Sequence, residues 1–355
     1  MAKILIVRLG AMGDILHALP AVTAIRTALP NSTIGWVIEE KWTELLAACG
    51  QTCESGAVCK QRPVVNILHT VNTRGWRSRI YQRATLAEAL ASVKAVRAMH
   101  YDLAIDFQGA VKSAFPASFS GARVRAGFIN PRESAARFFY SSKFSRMGEH
   151  VIEQNKGLAE QALKKHFSLP ELSLVAPQLP YDSAAEAWAE GEIKRLGIAG
   201  FAIMNPGAGW GAKQWPVERY GEVAKALAIH GLKTLVNGGP GEEALAQQLI
   251  QASGGNAFAI RCTVGQLIAL TRRARLFIGG DTGPLHLAAA LNVPVVGIFG
   301  PTDPARTGPF GTRAVPLRHP DSQTTFSHHR DPEEGLLKIS VEETIAAARW
   351  LLGGN

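Results

Sequence analysis

Several charged side chains in this sequence stand where apolar runs give way to helices, the positions from which α/β proteins usually do chemistry. The first is Asp14, in "VRLGAMGDILHALP" (7–20), directly after the apolar run Ile4 to Val7. A dinucleotide-binding turn would read G-x-G-x-x-G, but only Gly10 and Gly13 are present, and a carboxylate has the wrong sign for a pyrophosphate. Asp14 is therefore a helix cap, worth about 1 kcal/mol, or a general base. A helix N-terminus favours an anion, and an ionised carboxylate can take the proton of a hydroxyl that is attacking an electrophile. A sugar hydroxyl is too weak an acid to lose that proton beforehand, so the transfer would be concerted with bond formation.

The second half carries three more such junctions. In "FIGGDTGPLHLAAALNVPVVGIFGPTDP" (277–304) a strand ends at Gly279-Gly280, the turn Asp281-Thr282-Gly283-Pro284 follows, and a helix begins near Leu285. Proline suits a helix's first turn, and the unpaired amides there attract phosphate. Asp281 repels phosphate, so it would face sugar hydroxyls, with His286 one turn further along; alternatively Asp281 caps the helix and His286 is a satisfied core histidine. "NPGAGWGAKQWP" (205–216) is a glycine-rich loop ending in Lys213, a point charge suited to a diphosphate, or else a solvated lysine. It lacks the G-K-[ST] of a Walker loop. Glu242, in "NGGPGEEALA" (237–246), can accept both hydroxyls of a ribose or cap a helix.

The basic residues are concentrated in the first half. Of 38 Lys+Arg and 29 Asp+Glu, 22 and 12 fall in residues 1–170 and 16 and 17 in residues 171–355. The net charge of +9 thus arises before residue 171. Such a field suits an anionic partner, unless it serves only solubility. "NTRGWRSR" places Arg74, Arg77 and Arg79 around Trp76; Lys112 lies in "DFQGAVKSA" and Arg132 in "NPRES". Arginine forks match carboxylates and phosphates. No nucleic-acid-binding module is recognisable, so no nucleic-acid partner is expected.

The elements that would position these residues alternate between β-rich apolar runs and helical patterns, which predicts α/β architecture with parallel sheets. Strands are expected at "KILIVRL", "STIGWVIEE" and "YDLAIDFQG", then at "FAIMNPG", "LKTLVNGG", "RLFIGGD" and "VPVVGIFG". Helices are expected around 15–28, 84–98 and 110–120, then near 217–230, 241–253, 264–273 and 284–291. The Pro- and Ser-rich stretch 167–183 reads as a linker, and Ser340 with Glu343 marks a capped final helix. With 355 residues and 46% hydrophobic content, two domains are expected. No run is long enough to span a bilayer and no secretory leader is evident, which predicts a cytoplasmic protein. Cys49, Cys53 and Cys59 have spacings that match no common zinc site, and Cys262 lies far away, so all four are expected to be structural or adventitious thiols.

"MGDILHALPAV", "DFQGAVKSA", "KQWP" and "DTGPLHLAAAL…GPTDP" together resemble, in order and spacing over nearly the whole chain, glycosyltransferase family 9, the inverting lipopolysaccharide heptosyltransferases. Asp-Ile-Leu-His at 14–17 favours the type I branch over type II. The resemblance implies a GT-B fold: two Rossmann-like, doubly wound domains facing across a cleft. Residues 1–170 would bind the acceptor and 171–355 the nucleotide sugar, with the final helix a candidate to pack back on the first domain. It implies transfer of L-glycero-D-manno-heptose from ADP-heptose to Kdo of Kdo-lipid A, without a metal or other cofactor, in the cytoplasm and peripherally at the inner face of the inner membrane. By position, Asp14 resembles the general base and Lys213 the diphosphate ligand. Glu242 resembles the ribose ligand, and Asp281, Thr282, Gly283 and His286 the heptose and phosphate contacts. Arg74, Arg77, Lys112 and Arg132 resemble acceptor-side groups. One departure concerns the loop before Lys213: it reads Ala208-Gly209-Trp210-Gly211, whereas type I members carry hydroxyl residues there. The rival readings are a family 9 transferase with another donor or acceptor, a GT-B sugar epimerase and a non-catalytic binding protein.

Overall fold

The computed structural model describes residues 1–48, 58–79, 81–169, 171–239, 241–325 and 330–353, except for the side chains of Arg74 and Arg77. It separates into two compact units, Met1–Tyr181 and Asp182–Asn355.

The first unit runs β1 (Lys3–Val7), α1 (Met12–Ala28), β2 (Thr33–Glu39), β3 (Ile67–Val71), α2 (Thr73–Ser78), α3 (Arg83–Ala98), β4 (Leu103–Asp106), α4 (Val111–Phe119), β5 (Val124–Phe128), β6 (Ser142–Phe144) and α5 (Val151–Phe167). All six strands are parallel, in the order β3-β2-β1-β4-β5-β6. β1 is an apolar run because it lies mid-sheet with helices over both faces: Ile4 to Val7 are fully buried. The connection leaves β1 toward β2 on one side, and the chain later returns to β4 on the other. The reversal point, where doubly wound sheets open a crevice beyond the strand ends, thus lies between β1 and β4.

The second unit repeats the plan with α6 (Ser183–Leu196), β7 (Phe201–Asn205), α7 (Val217–Ile229), β8 (Lys233–Asn237), α8 (Glu243–Ala252), β9 (Ala257–Ile260) and α9 (Val264–Arg273). It continues with β10 (Leu276–Gly280), α10 (Gly283–Ala290), β11 (Val295–Phe299), α11 (Pro304–Thr307), β12 (Ala314–Arg318), α12 (Glu334–Lys338) and α13 (Val341–Leu351). The strand order is β12-β11-β10-β7-β8-β9, again parallel, so the reversal falls between β7 and β10. Ser340 and Glu343 form the expected capping box of α13.

Two expectations need correction. The unit boundary falls after Tyr181 rather than after residue 170. The intervening segment belongs to the first unit because it is bonded there: Gln178 N donates to Thr23 Oγ1 at 3.4 Å and Tyr181 N to Lys60 O at 2.9 Å, while Leu172 and Leu179 are buried. In the second unit α13 packs on α7, β11 and β12, burying Ala347, Ala348 and Leu351 in that core. Cys59 is disulfide-bonded rather than a thiol, whereas Cys262 is free; Cys49 and Cys53 lie outside the described residues.

Candidate functional site

In the first unit, Asp14 occupies the first turn of α1, just beyond the end of β1. Its Oδ2 accepts from Ala11 N at 3.1 Å, the capping role. Its Oδ1 pairs with Arg8 Nη2 at 2.6 Å, and the Asp14 side chain keeps 38% of its surface exposed. Capping and exposure coexist: each oxygen has one partner, and a carboxylate oxygen can accept more than one hydrogen bond. Arg8 is buried and was not singled out from the sequence, because one arginine after an apolar strand looks like a solvated charge. Its Nη1 donates to Phe107 O at 2.7 Å, so Arg8 ties the Asp14 turn to the end of β4.

Across the reversal point, the "DFQG" turn is organised by Asp106. This fully buried carboxylate accepts from Gln108 N, Gly109 N, Ser113 Oγ and Tyr140 Oη at 2.7–3.2 Å. Burial raises its pKa against the opposing effect of those hydrogen bonds. Gln108 Oε1 in turn accepts Leu9 N at 3.0 Å, a second tie to the Asp14 loop. Gly109 has φ +66°, and a Cβ there would sit 3.1 Å from Arg132 N, so the β4 and β5 loops touch at a position suited to glycine. Lys112 and Arg132 project into solvent around this contact. Arg74 and Arg77 belong to α2, which follows β3; α2 is tied to the end of β2 through a Thr73–Glu39 hydrogen bond. The Asp14 turn and all four basic candidates therefore follow the carboxyl ends of strands, while Asp14 itself is bonded to Arg8 and Ala11 rather than to Lys112 or Arg132.

In the second unit the candidates converge more tightly. Lys213 Nζ lies 2.6 Å from Asp281 Oδ2 and 3.2 Å from Asp281 O. Asp281 Oδ1 is 3.0 Å from His286 Nε2. All three side chains are largely buried. Burial works to raise the Asp281 carboxyl, but the hydrogen bond and charge of His286, together with Lys213, outweigh it and hold the group well below the usual carboxylate range. Asp281 is thus not the cap of α10. Thr282 is the cap residue, yet its hydroxyl is buried and has no hydrogen-bond partner among the described residues, at the start of the helix that begins with Gly283. A buried hydroxyl left idle at a helix start, where the first backbone amides have no partner within the helix, is suited to an anionic ligand.

Glycines bring the loops together. Lys213 O passes over Gly280, where a Cβ would lie 3.0 Å away. The Glu242 carboxylate lies against Gly207, where a Cβ would meet its atoms at 2.1–2.2 Å, and its Oε2 accepts Gly239 N at 2.7 Å. Lys213 also stands 5.2 Å from the Trp210 ring centroid, a cation–π contact within the departing loop. Beneath these loops Asn237 Nδ2 donates to Asn205 Oδ1 at 2.7 Å, a pair that the sequence reading missed. Among the described residues, no group of three or more His, Cys, Asp or Glu side chains could hold a metal ion, and no helix is long and apolar enough to cross a membrane.

Two Rossmann-like units, the second with a lysine–aspartate–histidine cluster and a helix start open to an anion, define the GT-B class. Within it, residues 89–336 match glycosyltransferase family 9 (heptosyltransferase), and the chain belongs to that family. It is similar to lipopolysaccharide heptosyltransferase 1 of Pseudomonas aeruginosa, 30% identical over 319 residues that cover 89% of this chain and 83% of the relative. The enzyme of the same name from Escherichia coli (strain K12) is 29% identical over 325 residues, 90% of this chain and 94% of the relative. Among solved structures, E. coli heptosyltransferase WaaC with ADP-2-deoxy-2-fluoro heptose superposes with a TM-score of 0.73 at 25% identity, covering 98% of this chain and 99% of that one. A family 9 glycosyl transferase from Veillonella parvula shares the fold, with a TM-score of 0.81 at 22% identity, covering 99% and 97%.

Proposed function

We propose that this heptosyltransferase moves L-glycero-D-manno-heptose from ADP-heptose to a Kdo sugar of Kdo-lipid A, with inversion, during synthesis of the lipopolysaccharide inner core. The reaction takes place in the cytoplasm, at the inner face of the inner membrane. The carrying observation is the Lys213–Asp281–His286 cluster beside the idle Thr282 hydroxyl. Asp281, kept ionised, accepts hydroxyls of the heptose, while His286 holds it in place. Lys213, the Thr282 hydroxyl and the Gly283 amide take the diphosphate, and Glu242 takes the ribose. As the bond from the anomeric carbon to phosphate breaks, the electron pair leaves with ADP, and Lys213 offsets that charge without a metal. On the acceptor, the Kdo hydroxyl forms the new bond to the anomeric carbon as its proton passes to Asp14. A single displacement of this kind inverts the anomeric centre. Arg74, Arg77, Lys112 and Arg132 supply the countercharge for Kdo carboxylates and lipid A phosphates.

The names of the relatives support the reaction class, and the heptose analogue held by WaaC supports the donor. Ala208-Gly209-Trp210-Gly211, a loop without hydroxyls ahead of Lys213, favours one second reading, a family 9 transfer from a different nucleotide sugar. A mass spectrum of the product made from ADP-heptose and Kdo₂-lipid A tests both. A mass gain of one heptose supports the proposal. No product here, but product from another nucleotide sugar, supports the alternative.

A further inference from the structure

One face of the first unit exposes an unusual density of large apolar side chains. α3 packs against α4, and α4 against the 3₁₀ turn Ser134–Phe139, so the three lie side by side over the sheet. Leu86 and Leu90 on α3 are 53% and 61% exposed. Val111, Phe115 and Phe119 on α4 are 37%, 48% and 43% exposed, and Phe138 in the turn is 75% exposed. The spacing of four residues puts each set on one stripe of its helix. Another stripe of α3 buries Thr85 and Val96, and the opposite stripe of α4 buries Ser113, Ala114 and Ala117. The outward apolar residues are therefore surplus to the core. Phe115 and Phe119 already stack on each other, ring centroids 4.3 Å apart.

Cations border these stripes. Arg83, Lys94 and Arg97 are exposed on α3, Lys112 on the first turn of α4, and Arg137 beside Phe138. Two acids accompany them, Glu88, which accepts Trp76 Nε1 at 3.2 Å, and Glu133, which accepts Val111 N at 2.9 Å, so the five cations outnumber them. Helices with an apolar, aromatic stripe bounded by Lys and Arg lie in the interface of a bilayer, with anionic headgroups meeting the cations. The α4 end of the face reaches the "DFQG" turn, where Lys112 and Arg132 stand.

We infer that the α3–α4 face is a membrane-docking surface, inserting Leu86, Leu90, Phe115, Phe119 and Phe138 among the acyl chains of an anionic leaflet. The inference rests on, and gives a location to, the membrane-side reading proposed above. Flotation of the full chain with vesicles made of equal parts phosphatidylglycerol and phosphatidylcholine tests it, with phosphatidylcholine vesicles as the comparison. The chain should float with the anionic vesicles and much less with the neutral ones. Phe115→Ser and Phe119→Ser should each weaken binding on the order of tenfold, and Leu86→Gln with Leu90→Gln should repeat the loss from a second helix. Lys94→Glu with Arg97→Glu should remove the preference for anionic lipid. The unfolding midpoint and the turnover of a soluble, acyl-free acceptor should not change in any of these variants. Equal binding to neutral vesicles, or binding indifferent to the apolar variants, overturns the inference. So does a dimer of the chain that these variants dissolve, since the face would then be an interface between copies. Absence of heptosyl transfer alongside intact, variant-sensitive flotation would count against the proposed reaction alone.

Discussion

At the scale of single residues, the proposed chemistry depends on two carboxylates held in opposite ways. Asp281 is enclosed by a lysine and a histidine and kept ionised by them. Asp14 keeps over a third of its side-chain surface open while Arg8 and the Ala11 amide fix its orientation. Such an arrangement suits a base that must meet a large incoming hydroxyl. Asp14→Asn retains the shape and can still accept from Ala11 N, but it cannot take a proton. Its kcat should fall roughly 10²- to 10⁴-fold, with the dissociation constant for ADP-heptose unchanged. Single-turnover kinetics beside calorimetry separates the two quantities, and near-normal turnover would reduce Asp14 to a cap. Sequence alone shows why Asp14 deserves this test, since a carboxylate after a buried strand stands out. Arg8 did not stand out, because its role depends on Phe107 O, 99 positions away in the chain.

At the scale of elements, the strand ends matter more than the strands. β1, β4, β7, β8, β10 and β11 are legible because burial on both faces leaves near-continuous apolar runs. β3, β5, β6, β9 and β12 are not, since short outer strands such as "SKF" and "AVPLR" are half-exposed and carry no such run. The helices α5 and α6 were also missed, their apolar positions diluted by charged and small residues. Loop glycines were visible as a class, but not which of them a neighbour needs. Gly207 is one of these, with the Glu242 carboxylate occupying the space of its absent side chain. Gly207→Ala should push Glu242 out of place and weaken ADP binding by about tenfold or more, a loss of at least ~1.4 kcal/mol. Unchanged calorimetric affinity would separate Glu242 from the ribose. β3 offers a pH test. His69 is buried against Tyr101 Oη at 2.8 Å, and burial lowers its pKa to about 4. The folded chain then binds fewer protons than the unfolded chain between about pH 6.5 and 4, so stability falls as pH drops through that window. His69→Gln, which keeps a hydrogen-bonding group but does not titrate, should lack this component. The difference between wild-type and variant denaturation midpoints should shift steadily in the variant's favour from pH 6.5 to 4; a constant difference would mean that His69 does not carry the effect.

At the scale of the whole molecule, charge is divided as the proposed function would require. Between the observed units, Met1–Tyr181 holds 22 Lys+Arg against 13 Asp+Glu, whereas Asp182–Asn355 holds 16 of each. The unit with the ADP-heptose candidates is neutral, and the unit with the acceptor candidates carries the entire excess. If that excess captures an anionic acceptor, the acceptor KM should rise with salt, since exposed attraction is screened over about 10 Å at 0.1 M. Two double variants divide the contribution. Lys112→Ala with Arg132→Ala removes cations beside the "DFQG" turn, and Arg74→Ala with Arg77→Ala removes those of α2. Both pairs should raise acceptor KM and leave donor KM alone. A pair that acts as a diffuse field should also flatten the salt dependence. A pair that grips a carboxylate through a bidentate fork should raise KM while leaving the slope closer to wild type, because close contacts are screened less. Lysine cannot form that fork, so Lys112 can act only as a point charge, whereas Arg74, Arg77 and Arg132 are the candidates for direct bidentate contact. A flat wild-type profile with both variants superimposed on it would mean that the positive charge of the first unit only solvates its surface, and the acceptor would then have to be held by neutral contacts around Asp14.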